Sequence, residues 1–250
     1  MSSMQAQSQS AALSGRVVLI TGAAGGLGAA AAQACAAAGA TVVLLGRKVR
    51  PLERIYDAVA ALGAEPLLYP LDLAGATPDD YATLAQRLQT ELGGLHGLHG
   101  LLHCAADFSG LTPTELVSPA DFARTLHVDL TARAWLTQAC LPLLRQQDDA
   151  AVVFVVDDPA RVGQAYWGAY GAAQHAQRGL IATLHHETAA GPVRVSGLQP
   201  GPMRTALRAR AFTHHEDNDA VDAARYAPAC VGVLSAAGAT HRGAIWSPPV

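Results

Sequence analysis

Short apolar runs alternate with longer Ala- and Leu-rich stretches along nearly the whole chain. The first run, Arg16–Gly22 (RVVLITG), leads into a helical stretch at Gly26–Ala38, with Gly39 just past its end. Thr41–Gly46 (TVVLLG) predicts a second strand, and Pro51–Leu62 a helix that stops at Gly63. Glu65–Tyr69, Gly97–Cys104, Ala151–Val156, Val193–Leu198 and Gly243–Trp246 predict further strands. Between them fall helices at Asp79–Leu92, Pro119–Arg145, Tyr170–Ala190 and Val221–Ala237. The strands are continuously apolar instead of alternating, which marks a parallel sheet covered on both faces. Strand–helix alternation of this kind predicts an α/β fold: a single Rossmann-like doubly wound domain with a seven-stranded parallel sheet flanked by helices. No linker or shift in composition divides it, so residues 15–250 read as one domain and 1–14 as a flexible tail.

Composition narrows the setting. Half of the 250 residues are hydrophobic and 15% are charged, enough apolar surface for a sizeable core. A net charge of −3 argues against a nucleic-acid or anionic-membrane partner, which would need clustered positive charge. The apolar runs are broken by Gly, His or charge well before they could span a bilayer. Cys35, Cys104, Cys140 and Cys230 are widely spaced and form no CxxC pair, so they read as reduced thiols. Met1 to Ser10 is polar and lacks both a basic and an apolar segment, unlike a signal peptide. Together these features predict a cytoplasmic protein.

The first strand runs into Thr21-Gly22-Ala23-Ala24-Gly25-Gly26-Leu27-Gly28. Glycines spaced in this way between a strand and a helix let backbone N–H groups approach a pyrophosphate at the positive helix N-terminus. The second strand ends in Arg47-Lys48 where an acid would select NAD(H) through the ribose hydroxyls. A guanidinium there suits a 2′-phosphate, so NADP(H) is the expected cofactor and NAD(H) the less favoured one.

Other candidate clusters carry less. His96, His99 and His103 straddle a turn and a strand, so no metal site is expected. His214-His215-Glu216-Asp217 reads as a solvated loop, and Asp148-Asp149 as a connection between helix and strand.

From Gly15 to Trp246 the chain resembles the short-chain dehydrogenase/reductase family, classical type. The phosphate loop carries the resemblance, as do Leu71-Asp72-Leu73, His103-Cys104-Ala105-Ala106, Val128-Asp129, Trp167-Gly168-Ala169-Tyr170 and Pro200-Gly201-Pro202-Met203-Arg204-Thr205. The resemblance implies cofactor contacts from Gly22, Ala24, Gly26, Leu27 and Gly28, from Arg47 and Lys48, and from Asp72 and Leu73. It implies the same for Cys104, Ala105, Ala106 and Val128, and for Pro200, Gly201, Met203 and Thr205. The chain departs from the family in its phosphate loop, where Ala24 and Gly25 stand in place of a hydroxyl and a cation. Cys104 and Ala106 stand where the family shows Asn and Gly. Trp167–Tyr170 and the run after Arg204-Thr205 are similar to a bacterial subgroup of these reductases.

The implied reaction centre is degenerate. The family places a serine thirteen residues before a tyrosine, a lysine four residues after it and an asparagine on the preceding long helix. Here Tyr170 remains, but the serine position is Asp157, the lysine position Gln174 and the asparagine position Asp129. A tyrosine without a neighbouring cation is about 0.1% ionised at pH 7. Nearby carboxylates would suppress ionisation further, and a carboxylate at 157 would repel a developing alkoxide. His175 is turned about 100° from Gln174 around the helix and does not replace the lysine.

Three readings follow. The first is an NADP(H)-binding relative with weak or lost carbonyl/alcohol oxidoreductase activity, a pseudoenzyme. The second is a working carbonyl reductase that uses Tyr170 with a protonated Asp157 on an unknown small-molecule substrate. The third is a non-catalytic structural or regulatory subunit. The family resemblance implies a homodimer or homotetramer through the helices holding Asp129 and Tyr170, where Trp135, Leu141, Leu180 and Leu184 offer apolar area.

Overall fold

Strand β1 (Val17–Thr21) sends Val17 and Leu19 into one hydrophobic core and Val18 and Ile20 into another. Successive side chains of a strand point to opposite faces, so a strand apolar at every position must be covered on both sides. The computed structural model, which describes residues 12–92, 97–212 and 219–249, shows that cover. Helices α1 (Gly26–Ala37), α2 (Val49–Ala60) and α9 (Ala227–Leu234) pack on one face. Helices α3 (Pro78–Glu91), α5 (Ala132–Leu144) and α7 (Gly168–Thr188) pack on the other.

The remaining strands are β2 (Thr41–Gly46), β3 (Leu67–Pro70), β4 (Gly100–His103), β5 (Ala150–Val155), β6 (Val193–Leu198), β7 (Met203–Arg204), β8 (Val221–Asp222) and β9 (Ile245–Trp246). The main sheet has seven strands in the order β3-β2-β1-β4-β5-β6-β9, and every pairing is parallel. From β1 the chain builds outward to β3, then returns to β4 on β1's other side. This reversal opens a crevice beyond the carboxyl ends of β1 and β4, where open α/β sheets bind ligands.

Two predicted elements are corrected. The expected helix Val221–Ala237 is only Ala227–Leu234. Val221–Asp222 instead pairs with Met203–Arg204 in a two-stranded parallel sheet, and 3-10 turns at Ala223–Tyr226 and Ala236–His241 flank the helix. Pro228 suits the first turn of a helix, because the N–H it lacks has no partner there, and so it sets the start. The expected helix Pro119–Arg145 is divided into α4 (Pro119–Leu126), a π-helical stretch at His127–Thr131 and α5. Several strands are also shorter than their apolar runs, notably Gly100–His103 and Ile245–Trp246.

Leu13 is fully buried and donates its backbone N–H to the Ala38 carbonyl, so the packed region begins before Gly15. The predicted tail up to residue 11, His96 and the segment His214–Asp217 lie outside the described residues. Asp149 is more than a connection: it accepts from Arg16 and Arg194 at the amino-terminal end of the sheet. Among the described residues no helix is long and apolar enough to cross a membrane.

Candidate functional site

A cleft of about 600 Å³ opens at the carboxyl ends of the strands. It runs from Arg47, Lys48 and Asp72 past the glycine loop to Trp167 and Tyr170. Every residue expected to contact a cofactor lines it: Gly22, Ala24, Gly26, Leu27, Gly28, Arg47, Lys48, Asp72, Leu73, Cys104, Ala105, Ala106, Val128, Pro200, Gly201, Met203 and Thr205. Three of the four positions expected at a reaction centre, Asp157, Tyr170 and Gln174, line its other end. Asp129 lies fully buried behind that wall.

The glycine loop forms a cradle that side chains would fill. Gly22 has φ +65°, and a Cβ there would lie 2.8 Å from the Ala105 backbone. A Cβ on Gly26 would meet the Thr205 methyl at 2.7 Å. Thr21 ties the loop to the next strand, its hydroxyl accepting from the Cys104 and Ala105 N–H groups at 3.1 Å each. Backbone thus lies bare beside the N-terminus of α1, as a pyrophosphate requires. The cleft fits a dinucleotide on this ground: a bare backbone cradle in the middle, with cations at the far end of β2.

At the other end the polar contacts were not legible in advance. Tyr170 donates its hydroxyl to Asp157 Oδ2 at 3.1 Å. Asp157 Oδ1 accepts from the Asp158 N–H at 2.7 Å and forms an ion pair with Arg161. Three donors, one of them a cation, surround this group. Gln174 is buried, and its side-chain oxygen accepts from the Asp157 N–H at 2.9 Å. His175 turns away and bonds the Gly171 carbonyl of its own helix at 2.8 Å.

The π-helical stretch carries Asp129 into the interior, where Oδ1 accepts from the Asp107 N–H at 2.7 Å and Oδ2 has no partner. Burial pushes the Asp129 carboxyl up to about 7, against the pull of Arg133. One turn later, Arg133 is 2% exposed and lines the cleft. It donates to the Val155 carbonyl at 2.9 Å, to Gln177 Oε1 at 2.6 Å and to the Ala105 carbonyl at 2.5 Å. Burial raises the Tyr170 phenol well above its usual value; Asp157 and Asp129 add to the rise, and Arg133 opposes it. Cys104 is pushed up to about 12 by burial, so it is a protonated thiol.

Arg133 and Arg161 are the residues that sequence reasoning missed. Each stands four residues after an acid of the expected reaction centre, Asp129 and Asp157. That spacing places two side chains on one helical face and was the available signal. The upper wall is an aromatic cluster: Phe108 stacks on Trp167 at 5.1 Å, and Tyr170 packs against both. Arg210 donates to the Phe108 carbonyl at 2.5 Å, holding the short helix α8 (Arg208–Ala211) over this cluster.

The histidines at the two ends of β4 serve packing. His103 is buried, stacks on Phe154 and shares a hydrogen bond with Thr137 at 2.9 Å. His99 Nδ1 accepts from the Val17 N–H at 3.2 Å.

The family model described as short chain dehydrogenase matches residues 16–216. The oxidoreductase YciK of Escherichia coli K12, itself uncharacterized, is 36% identical over 80% of this chain and 78% of its own length. For some other curated relatives the matched span falls to 60% of their length. A solved short chain dehydrogenase from Pseudomonas syringae superposes with a TM-score of 0.90 at 38% identity, covering 95% of this chain and 96% of that one. A short chain dehydrogenase from Escherichia coli CFT073, solved in complex with NADPH, gives a TM-score of 0.89 at 32% identity, covering 95% and 98%.

Proposed function

The chain belongs to the short chain dehydrogenase family, and from that premise we propose that it is an NADP(H)-binding member whose carbonyl/alcohol turnover is weak or lost. Support for the cofactor comes from the cradle, from Arg47 and Lys48 at the end of β2, and from the NADPH held by a relative of the same fold. When bound, NADPH supplies a hydride to a carbonyl carbon. The protein must then deliver a proton to the resulting alkoxide, and Tyr170 is the candidate donor.

One observation carries the case for weak turnover. Position 174, one turn after Tyr170, holds a neutral amide whose oxygen is already engaged by the Asp157 N–H at 2.9 Å. Giving up its proton would leave Tyr170 a buried phenolate facing Asp157, and burial and that carboxylate both hold the proton in place. Losing aligned acid–base help typically removes about 10²–10⁴ in rate. A working reductase with Asp157 as a hydrogen-bond donor is the weaker reading, because Arg161, Asp158 and Tyr170 all direct donors at that carboxylate.

For assembly we favour a homo-oligomer joined through α5 and α7. Trp135, Leu141 and Leu180 are only partly buried there, while Leu184 belongs to the core.

The test is titration with NADPH, read by energy transfer from tryptophan, Trp167 lying in the cleft wall, followed by a panel of ketones and aldehydes on the same sample. Saturable binding without turnover is expected. Absence of binding would overturn the cofactor assignment, and turnover on the order of 1 s⁻¹, near the low end of ordinary enzymes, would overturn the loss of activity.

A further inference from the structure

We infer that Arg133 holds the nicotinamide end of a bound NADP(H), in place of a lysine on the neighbouring helix, an inference that rests on the NADP(H)-binding reading above. The family resemblance implies that a lysine at position 174 would both tune the tyrosine and hold the cofactor's ribose. Gln174 can do neither as a cation. Among the described residues two arginines are buried, Arg133 and Arg194. Arg194 lies at the opposite end of the sheet with Asp149. Arg133 lies in the cleft wall with Tyr170 and Gln174.

Its placement is rigid. The Ala105 carbonyl just beyond β4, the Val155 carbonyl at the end of β5 and Gln177 on α7 all accept from it. The guanidinium is therefore held to both strands that border the inner cleft and to the helix carrying Tyr170. A guanidinium has five N–H groups, and these contacts occupy three. Its Nε is buried with no partner. The terminal nitrogen that donates to the Ala105 carbonyl carries a second N–H, and with the side chain in the cleft wall that N–H is the one left for an acceptor on a ligand.

The chemistry suits the task as well. Arginine stays charged when buried, whereas a lysine in the same place would readily lose its proton. Asp129, one turn earlier, offsets the charge when the cleft holds no ligand. The two duties of the lysine are thereby separated. Arg133 can hold a cofactor, yet the Tyr170 phenol remains well above its usual range despite the nearby cation. Cofactor binding would thus persist while proton transfer fails.

The experiment compares two ligands by calorimetry: NADPH, and 2′,5′-ADP, which lacks the nicotinamide end. Wild type, Arg133→Gln, Arg133→Lys and the relocation variant Arg133→Gln/Gln174→Lys are titrated with each. Loss of one charge-assisted contact predicts that Arg133→Gln weakens NADPH by about tenfold or more. Its affinity for 2′,5′-ADP should stay within about twofold of wild type, because a merely structural defect would weaken both. Arg133→Lys, whose ammonium would readily lose its proton in that buried place, should fall between wild type and Arg133→Gln, and the relocation variant should regain much of what Arg133→Gln loses. Equal loss of both ligands in Arg133→Gln, or loss of neither, would overturn the inference. Should Arg133→Gln fail to fold, Gln174→Lys in the otherwise unchanged chain decides. A gain of less than about threefold in NADPH affinity supports a position already served by Arg133, and a gain of about tenfold shows that the cation was missing. Wild type that binds neither ligand would instead overturn the NADP(H) reading itself.

Discussion

Tyr170 and Asp157 form a closed pair: the phenol donates to the carboxylate at 3.1 Å, and Arg161 holds that carboxylate from its other side. A substrate oxygen seeking the phenolic proton must compete with an anion already receiving it. Asp157 is in turn fixed by the Asp158 N–H, and its own N–H by Gln174. Asp157 and Gln174 are thus bonded to each other, while Asp129 accepts from the Asp107 N–H.

Rescue should therefore be non-additive. Gln174→Lys alone leaves Asp157 in place, its charge still holding the Tyr170 proton, and Asp157→Ser alone leaves Tyr170 without a cation at position 174. The triple change Asp157→Ser, Gln174→Lys, Asp129→Asn should raise NADPH consumption on a carbonyl panel by more than the product of the single effects. A triple variant that binds NADPH but shows only the product of the singles would mean that these positions do not cooperate.

Cofactor choice should rest on the end of β2. With Arg47 and Lys48 lining the cleft there, NADPH should bind at least about tenfold more tightly than NADH, from a charge-assisted contact of roughly 1.5–3 kcal/mol. Arg47→Asp should erase or invert that preference. Calorimetric titration of both proteins with both cofactors checks it, and equal affinities in the wild type would refute it.

Stability should depend on pH through Asp129. Its folded-state pKa of about 7 lies above the unfolded value of about 3.9. The folded protein therefore binds the extra proton between these limits. The stabilisation is fully present below about pH 4, declines as pH rises and is gone above about pH 7. Asp129→Asn keeps an oxygen for the Asp107 N–H and removes the titration. Its melting temperature should exceed the wild type's at pH 8, with the difference shrinking toward pH 4. Parallel melting curves across that range would contradict the assignment.

The glycine cradle should tolerate no side chain. Gly22→Ala places a Cβ 2.8 Å from the Ala105 backbone at a φ of +65°, and the left-handed conformation alone costs about 1–2 kcal/mol. For a chain of this size each kcal/mol lowers the melting temperature by about 2–4 °C. Scanning calorimetry should show a fall of at least about 3 °C, accompanied by weaker NADPH binding. An unchanged melting temperature would show that the loop relaxes around the methyl group.

The fold was legible in the chain because it rests on local and periodic signals. Continuous apolar strands, helices between them and glycines at the first strand–helix junction dictate a parallel sheet with a bare backbone cradle, and the residues expected in that cradle do line one cleft. The limits of the late helix were not legible, because Val221–Asp222 found a strand partner in Met203–Arg204 from another part of the chain. The residues at 129, 157 and 174 were visible as letters, but their contacts were not. Whether Asp157 stands free or paired depends on a short helix, α6 (Pro159–Val162), that carries Arg161 back onto it. Whether the site contains a cation depends on the π-helical stretch and the depth at which Arg133 is buried. Hydrophobic periodicity is written residue by residue, so sequence alone determined the architecture. Charge pairing and desolvation arise only where separate segments meet, and those the tertiary structure decided.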